Sequence, residues 1–159
     1  MPFGDSTRKL RISSIASSND KEEIYNTSVT LLSDNEKIYS DSVYSMSFEM
    51  ELKDFDNDGH QDLLIFHSSG GRANPTFYLY LLKPNNRMLT KVDGFELLPN
   101  PELDGNIVTS TALAGSSYVY KFYHISHSRL VMLDSFVTSA GDSVIYEKRI
   151  KLLRSEKNR

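Results

Sequence analysis

A run of six aromatic and aliphatic residues, Phe77 to Leu82, restricts the local fold of this chain to a strand with two apolar faces. Along an extended strand, the side chains of residues 77, 79 and 81 lie on one face and those of 78, 80 and 82 on the other. Residues 118–123 repeat this pattern. Both segments follow a short turn rich in glycine and serine, so we interpret them as two similar hairpins of a decayed repeat.

Short apolar segments separated by turn residues extend over most of the chain, and no long apolar pattern has the period of a helix. Ten strands are predicted, at residues 8–17, 27–33, 43–53, 62–68, 76–83, 86–92, 106–113, 117–126, 129–138 and 143–153. The predicted fold class is all-β and mainly antiparallel: a β-propeller-like, sandwich-like or barrel-like stack of short strands around an acidic loop.

The length of 159 residues fits a single β-rich domain, residues 1–159, with a charged and frayed end at residues 154–159. Hydrophobic residues make up 39 % and charged residues 25 %, which indicates a globular rather than a disordered chain. The chain has no cysteine, which excludes disulfides, thiol nucleophiles and cysteine-bound metals.

The charge pattern restricts the partners of the chain. The formal net charge is -3, and no basic run or stripe is present, so we expect no nucleic-acid partner. No apolar stretch is long enough to cross a bilayer. Residues 1–6 lack a basic region followed by an apolar one, so no signal peptide is predicted in the sequence as given.

The acidic loop of residues 54–62 carries the clearest chemical motif. Carboxylates stand at its positions 1, 3, 5 and 9 (Asp54, Asp56, Asp58 and Asp62), and Gly59 stands at position 6. Calcium prefers six to eight oxygen ligands, and this spacing lets alternate side chains of a curled loop converge on one ion. The sequence therefore predicts one bound calcium ion, Ca2+.

His60, at position 7 of this loop, is predicted to contribute its backbone carbonyl rather than its ring. Position 12, where helix-loop-helix sites carry glutamate, is Ile65, and apolar strand-like residues flank the loop on both sides. The loop is thus expected to join two strands, which argues against a calcium-sensor switch. Two alternatives are a solvated acidic turn without an ion and a magnesium site, which would require stricter octahedral geometry.

The loop, with strands before and after it, resembles the calcium loop of FG-GAP-type repeats. The resemblance continues in order through an apolar strand, a glycine-rich turn with Asn74, a tyrosine-rich strand and residues 97–101, 107–110 and 114–118. These features, within residues 43–135, resemble a family of small bacterial envelope proteins related to FG-GAP repeats.

For this chain the resemblance implies a calcium-stabilised β fold in which Asp54, Asp56, Asp58 and Asp62 match the metal motif. It also implies a periplasmic or envelope-associated location after removal of a leader, with a cytoplasmic location left open. The role it implies is that of an immunity protein, which binds and inhibits a lysozyme-like toxin delivered by a bacterial secretion system.

Several residues are candidates for catalysis or partner binding. Glu49 and Glu51 share one strand face as a glycosidase pair could, but solvated edge carboxylates are the more common explanation. No serine lies in a nucleophile motif. Arg72, beside Gly70 and Gly71, is the candidate for contact with the carboxylates of an acidic partner cleft. We therefore expect a non-enzymatic protein; the alternative is a calcium-stabilised adhesion or carbohydrate-binding module of the envelope.

Overall fold

The computed structural model of the chain describes residues 7–14, 25–56, 58–70, 74–83, 88–104, 107–139 and 143–157. Within these ranges there are eleven strands and one helix. The elements are β1 (Arg8–Ser14), β2 (Thr27–Ser33), β3 (Glu36–Val43), β4 (Met50–Lys53), β5 (Asp62–Ser69), β6 (Pro75–Lys83), β7 (Met88–Lys91), β8 (Pro101–Asp104), β9 (Ile107–Ala114), β10 (Ser117–Ser126), β11 (Arg129–Ser139) and α1 (Ser143–Lys157). A short 3-10 turn (Phe95–Leu97) lies between β7 and β8.

The strands form three antiparallel sheets, which confirms the all-β prediction. The first sheet has the order β1-β2-β3, the central sheet β4-β5-β6-β7 and the third sheet β11-β10-β9-β8. The sheets are separate and do not close into a barrel. The central and third sheets are both four-stranded meanders, and their strands β5 and β9 each have eight residues with the first four buried. The two segments interpreted as a repeat therefore occupy equivalent places in two similar sheets.

The two inner strands of the central sheet, β5 and β6, are buried on both faces, which explains their continuous apolar sequences. Toward the first sheet, Leu63 and Tyr80 join Val29 and Leu31 in one core cluster. Toward the third sheet, Leu64 joins Leu79 and Leu81 of β6 and Val108 in a second cluster. The two faces predicted for residues 77–82 thus contact two different sheets.

The prediction of a strand at residues 143–153 is wrong, because Ser143–Lys157 is the helix α1. Tyr146, Ile150 and Leu153 have the i, i+4, i+7 spacing of one helical face, and they pack on Phe122 of the third sheet. The β-branched residues near the start of α1 favour a strand locally, but the packing of α1 on the third sheet favours the helix. Among the described residues, no helix is long and apolar enough to span a membrane.

Other strand predictions need correction. The strand expected at residues 43–53 is interrupted between β3 and β4, and Phe48 has a positive φ of 55° in this interval. Strand β8 was not predicted, and Val43 is the one residue of β3 that falls within a predicted strand. The outer parts of three predicted strands, residues 15–17, 86–87 and 106, lie outside the described residues.

Candidate metal centre

The acidic loop connects two adjacent strands of the central sheet, as the sequence predicts. It leaves β4 after Lys53 and enters β5 at Asp62. Phe55 inserts its side chain into the core between the central and third sheets, where it is nearly fully buried. The loop therefore starts from a fixed point, because this buried ring anchors the residue between the first two aspartates.

Three of the predicted ligands converge. One carboxylate oxygen from each of Asp54, Asp56 and Asp58 lies within 4.8 Å of the other two. Asp54 accepts hydrogen bonds from the backbone N–H groups of Asp58, at 3.2 Å, and Gly59, at 2.9 Å. Gly59 has a φ of 86°, which suits glycine, and it allows the chain to turn back toward Asp54. The loop thus brings its first three carboxylates into one group.

Asp56 is the member of this group with a buried carboxylate oxygen that lacks a described partner. Its side chain is only 11 % exposed, and Oδ2 lies 2.8 Å from the Nζ of Lys83 at the end of β6. Its other oxygen, Oδ1, is buried and has no hydrogen-bond partner among the described residues. A buried carboxylate oxygen without a partner carries a desolvation cost, which a bound cation would remove.

Lys83 is the residue of this centre that sequence analysis missed. The hydrogen bond to Asp56 is the main cause that raises the pKa of Lys83, and the charges of Asp56, Asp58 and Asp62 act in the same direction. Because Lys83 lies 27 residues from Asp56 in sequence, no local pattern links them; only the pairing of β5 with β6 brings them together.

The fourth predicted carboxylate, Asp62, is not part of the converging group. It is fully buried, and its two oxygens accept the N–H groups of Phe55 at 2.8 Å and Leu82 at 3.0 Å. Burial raises the pKa of Asp62 to about 6, although the two backbone hydrogen bonds oppose this rise. Asp62 therefore ties the loop to β6. Each carboxylate oxygen can accept a further bond, so its role as a metal ligand stays a prediction.

The other predicted site residues are less defined. The backbone N–H of His60 donates to Asp58 Oδ1 at 2.9 Å, which orients this residue within the loop. The proposed use of its carbonyl as a ligand stays a prediction. Arg72 lies outside the described residues.

The composition and charge of the group fit a hard cation. All the converging donors are carboxylate oxygens, which calcium prefers. Two unit charges 4.8 Å apart repel by about 0.9 kcal/mol in water and about 3.5 kcal/mol at an effective dielectric constant near 20. A single half-exposed lysine does not neutralise three carboxylates, so a divalent ion would relieve repulsion that remains in the protein alone.

Comparison with known proteins identifies the fold. Neither a protein-family model nor a curated protein sequence matches the chain. A solved structure described as that of a Xanthomonas type IV secretion system related protein is similar, with a TM-score of 0.56 and 15 % sequence identity. The match covers 87 % of this chain and 81 % of that one. At this identity the likeness shows a shared fold: the chain has the same β architecture as this secretion-system related protein.

Proposed function

We propose that the loop of residues 54–62 binds one calcium ion and that the protein acts by binding another protein. In its specific form, the proposal is an immunity protein that inhibits a lysozyme-like, peptidoglycan-degrading toxin and performs no chemistry itself. The observation that carries the calcium proposal is the convergence of three carboxylates around Asp56, whose buried Oδ1 has no hydrogen-bond partner among the described residues.

In this proposal the side chains of Asp54, Asp56 and Asp58 hold the ion together with the carbonyl of His60. Asp62 completes the site directly or through a water. The ion has a structural role and not a catalytic one. It stabilises a loop that is already bound to β6 through Asp62 and to the core through Phe55. A rigid β scaffold with ordered loops lowers the conformational cost of binding a partner.

The partner is proposed from two separate considerations. The resemblance of the sequence to envelope immunity proteins suggests a lysozyme-like toxin and a periplasmic or envelope location. The fold likeness to a secretion-system related protein supports a role beside such a system. The connection between β5 and β6, which includes Arg72, is the proposed contact with the acidic catalytic cleft of the toxin.

The test of inhibition is a muramidase assay with a peptidoglycan hydrolase encoded beside this protein. We expect dose-dependent inhibition that EDTA weakens and added calcium restores. Arg72→Ala should raise the inhibition constant without lowering the melting temperature, whereas Arg11→Ala, an exposed arginine of β1, serves as the charge-matched control. Truncating one member of a buried interfacial charge pair costs about 2–5 kcal/mol, which corresponds to a large change in inhibition.

Two outcomes would contradict the toxin proposal. If the purified protein cleaves peptidoglycan by itself, it is an enzyme and not an inhibitor. If it fails to bind any peptidoglycan hydrolase encoded beside it, the proposed partner is wrong. Binding to a glycan array in that second case would instead support the adhesion or carbohydrate-binding alternative. Full potency of Arg72→Ala would remove only this contact.

A further inference from the structure

Strand β4 lies at the free edge of the central sheet, and all four of its residues are exposed. Its apolar side chains, Met50 and Leu52, are 42 % and 41 % exposed. Among the described residues, β5 is the only strand that pairs with β4. An edge with apolar side chains and unpaired backbone groups can add a strand from another chain.

The backbone groups available at this edge follow from the register. The N–H of Phe66 donates to the carbonyl of Glu49 at 2.9 Å, so Glu49 faces β5. In an antiparallel pair, residues that face the partner strand alternate with residues that face away. Glu51 and Lys53 therefore face β5 as well, whereas the N–H and C=O groups of Met50 and Leu52 point outward. These four groups are the ladder positions open to an added strand.

Each face of β4 borders a groove. On the face toward the first sheet, a largely apolar groove of about 410 Å³ is lined by Met50, Glu51 and Leu52 together with Leu10 and Ile12 of β1 and Leu63 of β5. On the opposite face, Glu49 and Glu51 border a groove of about 300 Å³, and the other residues that line it, Met50 among them, are apolar. A strand added beside β4 would direct alternate side chains into the two grooves.

Glu51 lines both grooves, but only the groove on the opposite face also has Glu49, so that groove carries more negative charge and favours a basic side chain. Glu49 and Glu51 stand two residues apart on one strand face, a separation of about 7 Å. Among the described residues, neither forms an ion pair. The same groove is lined by Phe66 and Phe77, whose rings pack edge to face at 5.7 Å. A lysine or arginine can cover such aromatic carbon with its apolar stem and place its charged head beside the carboxylates.

The residues just before β4 in the chain are held in a fixed bend. Phe48 has a φ of 55°, which is unusual for an aromatic residue, and its N–H donates to Ser45 Oγ at 3.1 Å. Ser45 is itself held by Asn26, whose side chain bonds both its N–H and its C=O. Strain maintained by surrounding hydrogen bonds often marks a recognition surface. The bend limits the available edge to the five residues between Phe48 and the acidic loop.

From these features we propose that the β4 edge binds an extended segment of a partner protein in which basic and apolar side chains alternate. The backbone of the segment pairs with Met50 and Leu52. Its apolar side chains enter the groove beside β1, and its basic side chains enter the groove bordered by Glu49 and Glu51. The proposal does not involve Arg72 and does not depend on the identity of a toxin.

The first test uses an eight-residue peptide of alternating arginine and valine, labelled for fluorescence anisotropy. We expect saturable binding, with affinity at least tenfold lower for the Glu49→Gln/Glu51→Gln variant. The matched control, Glu36→Gln/Glu147→Gln, removes two exposed carboxylates elsewhere and should leave affinity unchanged. A peptide with glutamate in place of arginine should not bind. Equal loss of affinity in both variants would overturn the proposal, because general charge attraction would explain the binding.

The second test probes the backbone pairing without changing the protein. Methylating the peptide nitrogens that face β4 should abolish binding, whereas methylating the alternate nitrogens should not. Hydrogen exchange should show that the peptide protects the amides of Met50 and Leu52. The proposal is wrong if both methylated peptides bind equally, if protection appears at another surface, or if the protein dimerises through β4 and the peptide does not displace the second copy.

Discussion

Replacing Lys83 by methionine removes the charge that lies against the acidic loop while it keeps most of the apolar stem. Lys83 Nζ lies 2.8 Å from Asp56 Oδ2. Calcium bound by Asp56 has to compete with this ammonium group for the same carboxylate. The Lys83→Met variant should therefore be less stable without calcium and should bind calcium more tightly.

The magnitude follows from the exposure of the pair. Lys83 is 41 % exposed, so solvent screens the interaction, and breaking the pair costs about 0.5–1 kcal/mol. The remaining ammonium charge also repels a divalent ion, by about 1.4 kcal/mol at a separation of about 6 Å in water. Because these two costs disappear in Lys83→Met, calcium affinity should increase by about 25-fold to 60-fold, that is, by about 1.9–2.4 kcal/mol.

Isothermal titration calorimetry measures this change directly. Lys91→Met is the matched control, because Lys91 pairs with Asp41 of β3 at 3.8 Å and its replacement changes the net charge by the same amount. We expect calcium affinity close to wild type for the control. Weaker or unchanged calcium binding by Lys83→Met would refute the reasoning, since Asp56 would then not exchange its lysine for the ion.

Three further predictions concern single side chains. Asp58→Ala should weaken calcium binding in calorimetry much more than His60→Ala, because the backbone carbonyl of position 7 survives the substitution; a larger effect of His60→Ala would contradict the proposed ligand set. Tyr80→Phe removes a 2.8 Å hydrogen bond to the Asp41 carboxylate and should lower the free energy of unfolding by about 1.5–3 kcal/mol in urea denaturation; an unchanged value would show that this bond adds no net stability. Ile150→Ala should cost about 2–5 kcal/mol because this side chain is buried against the third sheet, and a loss below 1 kcal/mol would mean that α1 does not pack there in solution.

Strand β6, which sequence analysis located well, is buried on both faces. Residues 77–82 are apolar at every position because the central sheet contacts a sheet on each side. Such a segment has a strong local signal, since both sets of alternate side chains are selected for burial. The loop spacing similarly predicted that Asp54, Asp56 and Asp58 converge, because a glycine at position 6 and alternate carboxylates determine the local geometry.

The features that were missed depend on distant parts of the chain. The helix α1 contains Val144 and Ile145, whose local preference is for strands, and it is favoured by contact with β10 and β11. Lys83 reaches Asp56 only through the register of β5 and β6. The burial of Asp62 has a similar origin, because one of its two backbone donors, Leu82, lies 20 residues away in sequence.

The most direct test of the calcium proposal combines elemental analysis with thermal melting in EDTA and in 1 mM calcium. One calcium ion per chain is expected. With a dissociation constant near 10 µM, 1 mM calcium adds about 2.7 kcal/mol of stability. For a domain of this size that corresponds to a rise of about 5–10 °C in melting temperature. Identical melting curves in EDTA and calcium, together with no calcium by elemental analysis, would contradict the proposal that this loop is a calcium site.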